Sequence, residues 1–283
     1  MKRVDCLRKL MYILNRRVLE KLYFAYIRPL MEYADVLWHN CTEEQCARLE
    51  RVQLAAARVV SGASRHAPNT LLYEETQWEP LYCRREKHKL VYMYKIVHGI
   101  APAYLNTRIP QVIPSGHNLR NENDIPLLPC RTKLWHDSYF PSTIQLWNSL
   151  GTDIKSKPTI TSFKKKLNST LVKVPGYYSQ GARRGQILHA RLRTQSSSLN
   201  DHLYRHNLVD NPKCSCGKIE TTKHFLLDCP MYAHLRTQLF SSLPESTSKS
   251  TNTLLFGDTN LTDSANCKIF MIVHDYIIHT KRF

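Results

Sequence analysis

The sequence predicts a mainly α fold, with a helical region over residues 1–173 followed by a small α domain built around a Cys/His cluster. Three observations predict it. Apolar residues recur at 3.6-residue spacing in successive segments of the first half. Capping residues and glycines bracket those segments. Late in the chain, cysteines and a histidine fall at metal-ligand spacing, just after a break rich in Pro and Gly. With 42% hydrophobic and 22% charged residues among 283, the composition is globular, neither disordered nor membrane-like.

The elements follow in order. Val18, Leu19, Leu22, Tyr23, Tyr26, Ile27 and Leu30 form one helical stripe, which Pro29 kinks or ends. Thr42 and Gln45 read as a capping box ahead of Cys46, Leu49, Val52, Ala56 and Val59, with Gly62 just past the end. A third helix runs from Leu81 to Val97 and stops at Gly99. Residues 100–137 are rich in Pro and Asn and read as a long excursion with room for short strands. Helical pattern returns at Ser142–Leu150 and at Phe163, Leu167 and Leu171. Residues 174–186 hold Pro175, Gly176, Gly181 and Gly185 and read as a basic linker. Beyond it, short helices around Ile187–Leu192 and Leu199–His206 lead into the Cys/His domain, residues 187–240. A Ser/Thr-rich loop spans Ser241–Thr253, and residues 254–283 carry a last amphipathic helix, Ala265–Thr280.

Charge is the second line of evidence. The formal net charge is +17, from 40 Lys and Arg against 23 Asp and Glu. Residues 155–200 alone hold ten basic side chains and no acidic one. They are Lys155, Lys157, Lys164, Lys165, Lys166, Lys173, Arg183, Arg184, Arg191 and Arg193, with Tyr177 and Tyr178 among them. Cations that neutralise phosphates, beside rings that stack on bases, suit a nucleic-acid partner better than a membrane surface. The plainer reading of the same run is a solvated helix face and a basic linker.

The third is Cys214-Ser-Cys216-Gly217 followed by His224 and Cys229, a C-x-C-x7-H-x4-C pattern. Three thiolates and an imidazole are the donor set of a closed tetrahedral structural zinc site. Gly217 allows the tight turn that faces both Cys214 and Cys216 toward one ion. His224 and Cys229 are five residues apart, about 140° around an ideal α-helix. Pro230 therefore has to end the helix at Cys229 for both to reach the ion. The other reading is three buried cysteines and an incidental histidine. His39, Cys41 and Cys46 also cluster, without ligand spacing, and read as core or surface residues. The remaining histidines show no pairing with carboxylates or serines.

Several classes are excluded or disfavoured. No G-x-G-x-x-G, G-x-x-x-x-G-K-[ST] or G-x-S-x-G occurs, which removes dinucleotide cradles, P-loops and nucleophile elbows. Leu10–Leu14 is too short for a signal peptide, and Ile269–Ile278 is broken by His274 and Asp275. Nine cysteines, an odd number, read as reduced thiols or metal ligands in a nuclear or cytoplasmic protein.

The residues also carry a resemblance. Tyr26–Trp38 (YIRPLMEYADVLW), Leu49–Arg58, Arg84-Arg85 with Tyr94–Gly99, Leu146–Leu150 and Phe163–Leu167 together resemble the region that follows the polymerase palm in non-LTR (LINE-type) retrotransposon reverse transcriptases. Ile187–Arg193, Leu199-Asn200, Cys216-Gly217, Glu220-Thr221 and His224–Pro230 are similar to the zinc-binding tail of such polyproteins. The resemblance covers about residues 7–236 and implies a thumb-like helical domain followed by a zinc knuckle. Tyr33-Ala34-Asp35-Val36 mimics the family's Tyr-x-Asp-Asp hairpin but has one Asp, and no Asp-Asp pair occurs anywhere. Two-metal polymerase chemistry needs clustered aspartates, so Asp35 reads as a helix-end or surface residue and no catalytic residue is assigned.

The expected function is therefore a nucleic-acid-binding fragment of a retrotransposon reverse transcriptase that lacks the palm, with Met1 an internal methionine of a truncated element. Its expected partners are RNA or DNA and a palm-containing reverse transcriptase, with no membrane, and its cofactor is structural zinc. The alternatives are an inactive pseudogene product or helical interaction scaffold, or a nuclease or polymerase of unrecognised type.

Overall fold

The computed structural model describes residues 2–111, 124–169, 172–245 and 247–283. Its regular elements are helices, and among the described residues extended pairing is limited to one bridge between Lys213 and Ile219. No helix among the described residues is long and apolar enough to cross a membrane.

Local sequence explains several helix ends. The stripe from Val18 gives helix Arg16–Tyr26, capped by the Asn15 side chain, and the chain restarts past Ile27 as Arg28–Glu32, with Pro29 in its first turn. Thr42 and Gln45 make both bonds of the capping box that opens helix Glu43–Ser61. Gly62 follows at φ +88°, where its hydrogen faces Ile187 so closely that a Cβ would overlap it. Helix Leu81–Val97 ends as expected, with Gly99 at φ +66°. Helix Asn69–Thr76 has no expected counterpart, because its weak periodicity hides the burial of Leu72, Glu75 and Thr76.

Two compact units divide the chain differently from sequence order. One comprises residues 1–28, 51–78 and 173–283; the other comprises 29–50 and 79–172. The second unit is centred on Leu90, Met93 and Tyr94 of helix Leu81–Val97, which pack with Ile144, Trp147 and Phe163. The excursion over 100–137 is short helices at Ala103–Asn106 and Lys133–His136, with no strand among its described residues. Leu171 lies outside the described residues.

In the first unit, the expected linker 174–186 is instead packed structure. Gly176–Ser179 is a 3-10 turn whose Tyr177 and Tyr178 are buried against Phe270, and helix Arg183–Arg193 begins before the stretch ends. Tertiary burial overrides the breaker signal there. Helices Arg183–Arg193 and Asp263–His279 form a core of this unit through Leu188, Leu192, Ile269, Val273 and Ile277. Phe225, Leu226, Leu239 and Leu254 belong to it too.

The same unit holds a buried ionic cluster. Glu75 takes Nε and Nη2 of Arg193 at 2.7 and 2.9 Å, and its other neighbour is the Arg16 guanidinium. Burial would raise the Glu75 carboxyl, but the two arginines outweigh it and hold it below the usual carboxylate range. Residues from three distant parts of the chain, at 16, 75 and 193, are thereby fixed to one another.

Candidate metal centre

The Cys/His site is built from two local structures. On the first, the Lys213–Ile219 bridge closes a tight turn in which Cys214 N–H donates to Lys218 O at 2.7 Å and Gly217 N–H donates to Cys214 O at 2.8 Å. Gly217 sits at φ +89°, a left-handed position that an L side chain resists. Glu220 secures the turn from behind by accepting Nε and Nη2 of Arg282 at 2.7 and 2.6 Å and the Asn200 N–H at 2.7 Å.

The second local structure is a π-turn over His224–Asp228. Cys229 N–H donates to His224 O at 2.7 Å, an i→i+5 bond that returns residue 229 to the side of residue 224. Cys229 then leaves the helix at φ −65°, ψ 120°, the extended conformation required before Pro230. The expected helix stop is present. The wider π-turn was not expected, and it does the bringing-together that an α-helix would prevent. Phe225 and Leu226, both fully buried, anchor it to the core, and the Tyr276 hydroxyl donates to Phe225 O at 2.7 Å.

Ligand atoms of Cys214, Cys216, His224 and Cys229 all lie within 4.8 Å of one another, so the four side chains could hold one metal ion. The Cys214 and Cys229 sulfurs are 3.7 Å apart, and Cys216 Sγ is 3.2 Å from His224 Nε2. Cys214, His224 and Cys229 are buried and Cys216 is partly exposed. Burial lowers the His224 pKa, favouring the neutral imidazole that binds metals, while burial pushes the Cys229 thiol up to about 11. His39, Cys41 and Cys46 do not form such a group: His39 bonds backbone oxygens of Val36 and Asp137, while Cys41 and Cys46 face each other at 3.0 Å.

The ten basic residues of 155–200 are divided between the two units, and not all of them reach the surface. Lys155, Lys157, Lys164, Lys165 and Lys166 belong to one unit, and Lys173, Arg183, Arg184, Arg191 and Arg193 to the other. Arg193 is buried on Glu75, and Arg183 is buried with its guanidinium donating to the carbonyls of Met11, Val59 and Val60. Neither is presented to a partner, and Tyr177 and Tyr178 are buried too. The physical reason is that a basic run read along the chain says nothing of which face a helix buries. Lys155 and Lys166 are ion-paired with Asp124 and Asp153. Lys164, Lys165, Lys173 and Arg184 are exposed, and Lys157 and Arg191 are half-buried. None of these six has a carboxylate at ion-pair distance among the described residues.

Asp35 corrects the sequence reading as well. It does start a short helix, Asp35–Trp38, but it is only 3% exposed and accepts from His88 Nδ1 at 2.6 Å. A buried Ser197–His202 pair at 2.8 Å is a second histidine contact that sequence spacing did not reveal. The Asp35–His88 partners are far apart in sequence, and no local pattern marks such a pair.

Comparison of the chain with family models, curated proteins and solved structures finds no match.

Proposed function

We propose that this chain is a nucleic-acid-binding part of a retroelement reverse transcriptase, with one structural zinc ion in its Cys/His domain. The observation that carries the reading is the convergence of Cys214, Cys216, His224 and Cys229 at the place where the family resemblance implies a zinc knuckle. Zinc suits the donor set of three soft thiolates and one neutral imidazole. A tetrahedral ion with Zn–S bonds of ~2.3 Å separates two sulfurs by ~3.8 Å, against 3.7 Å between Cys214 and Cys229. Bound there, zinc supplies charge neutralisation and cross-linking. Four protein donors fill its coordination sphere and leave no position for a reacting water.

The nucleic-acid contact is supported by the exposed cations that remain once the internal ones are removed. Lys164, Lys165 and Lys166 crowd the last turn of helix Ile160–Leu167 and lie on its open side, while Phe163 is buried. Lys173 and Arg184 supply exposed charge on the other unit. Each can neutralise a phosphate and release a counterion, which makes affinity fall as salt rises. Tyr177 and Tyr178 have no part in this binding, so the expected mode is backbone tracking and not base stacking.

A filter-binding titration of the full chain against single-stranded RNA and duplex DNA, at several salt concentrations, tests the reading. Affinity is expected to fall steeply with salt, and replacing Lys164, Lys165 and Lys166 together with Gln should reduce the log–log slope by about 2–3. Binding that is absent, or that does not respond to salt, would overturn it.

A further inference from the structure

The Asp35–His88 pair opens onto a cleft of about 470 Å³ in the unit formed by residues 29–50 and 79–172. Helix Leu81–Val97 forms one wall through the side chains at 88, 92 and 95, spaced so that they share a face. Helix Ile160–Leu167 supplies Lys164 and Leu167. The volume is that of a small-molecule site and suits a ligand the size of a mononucleotide.

Its charge is divided in a telling way. Arg84 and Lys87 are neutralised by Glu32 and Glu79. Lys95 and Lys164 have no carboxylate at ion-pair distance among the described residues, although both line the cleft. His88 gives its Nδ1–H to the buried Asp35, which fixes the ring and leaves Nε2 as its other hydrogen-bonding atom. That nitrogen has no hydrogen-bond partner among the described residues. Two unpaired ammonium groups and an oriented imidazole thus share one concavity with the apolar surface of Leu167 and the ring of Tyr92.

We propose that this cleft binds a nucleoside monophosphate group, with its phosphate on Lys95, Lys164 and His88 Nε2 and its base or sugar against Tyr92 and Leu167. Lysines act on phosphate as point charges, while the fixed imidazole adds direction. The same chemistry has two sources, a free mononucleotide and the terminal 5′-phosphorylated nucleotide of a strand. The second source rests on the nucleic-acid reading above; the first does not.

The test titrates the full chain by calorimetry with a 5′-mononucleotide, the matching nucleoside and inorganic phosphate. Saturable mononucleotide binding is expected, at least tenfold tighter than nucleoside or phosphate. The double variant K95Q/K164Q should weaken it at least tenfold. His88→Asn keeps an N–H for Asp35 but lacks Nε2, and should weaken it severalfold while leaving the salt slope on duplex DNA unchanged. A thermal melt verifies that each variant folds, and both lysines can be replaced without disturbing the buried core. No saturable mononucleotide binding at millimolar concentration, or wild-type binding by K95Q/K164Q, overturns the cleft. Loss of strand binding with mononucleotide binding intact would instead overturn the nucleic-acid reading. A 5′-phosphorylated oligonucleotide that binds tighter than its 5′-hydroxyl form, and is displaced by mononucleotide, assigns the strand end as the source. Equal binding of the two oligonucleotides assigns the free nucleotide.

Discussion

At the scale of single residues, burial decides what each charged or thiol group can do. Glu75 is buried with two arginines, so Glu75→Gln would leave Arg16 and Arg193 facing each other without a counter-charge. Breaking a buried pair by removing one partner costs about 3–5 kcal/mol. A corresponding fall in the free energy of unfolding is expected from urea denaturation of this variant; a change below 1 kcal/mol would show that the cluster is not holding the fold. Cys229 is likewise fully buried, and it is one of the four side chains that could hold one metal ion. Cys229→Ser is therefore expected to reduce the metal content from one ion per chain to none, measured by elemental analysis of the purified protein. Wild-type protein that contains no metal would remove the zinc assignment.

Elements show how competing local terms are resolved. Helix Arg183–Arg193 contains Gly185, and an alanine there would raise helix propensity by about 1 kcal/mol. Its Cβ would, however, lie 2.8 Å from ring atoms of His274, itself buried and fixed by helix Asp263–His279. Overpacking costs typically 1–3 kcal/mol. The expected sign of Gly185→Ala is destabilisation, seen as a lower thermal midpoint; a raised midpoint would mean that the two helices can separate at no cost. The π-turn over His224–Asp228 shows the same balance. Its poorer backbone geometry persists together with the full burial of Phe225, Leu226 and Cys229, whose sulfur it brings to 3.7 Å from Cys214.

Across the molecule, histidines kept neutral by burial set an acid limit on stability. Burial holds His202 and His274 down to about 4 and His189 well below its ordinary value, with the Arg193 charge adding to burial at His274 and His189. The unfolded chain takes up protons near pH 6.5 and the folded chain only near 4, so acidification favours unfolding. Stability is fully present above pH 6.5 and is lost progressively as the pH falls from 6.5 toward 4. Each of His202 and His274 contributes on the order of 3 kcal/mol to that loss at its completion. Denaturant midpoints at pH 7 and pH 5 measure it. His274→Leu is expected to flatten the dependence, because it also removes two ring nitrogens that have no hydrogen-bond partner in the core; an unchanged profile would contradict the assignment.

The sequence by itself determined the helical class, the caps at Thr42 and Gly62, the third helix to its last residue, and the four side chains of the candidate metal centre. These are local matters: a capping bond, a positive φ, a 3.6-residue stripe and a ligand spacing are all written within a few residues of one another. Tertiary structure alone decided which cations face solvent. It placed Arg183 and Arg193 inside, turned a supposed linker into core around Tyr177 and Tyr178, and set Asp35 on His88. It also decided the division into two units, since residues 1–28 and 51–78 join 173–283 through contacts between remote segments. Charge and periodicity are properties of the chain, but burial depends on which distant surface covers a given face. That choice is settled only when the remote segments meet.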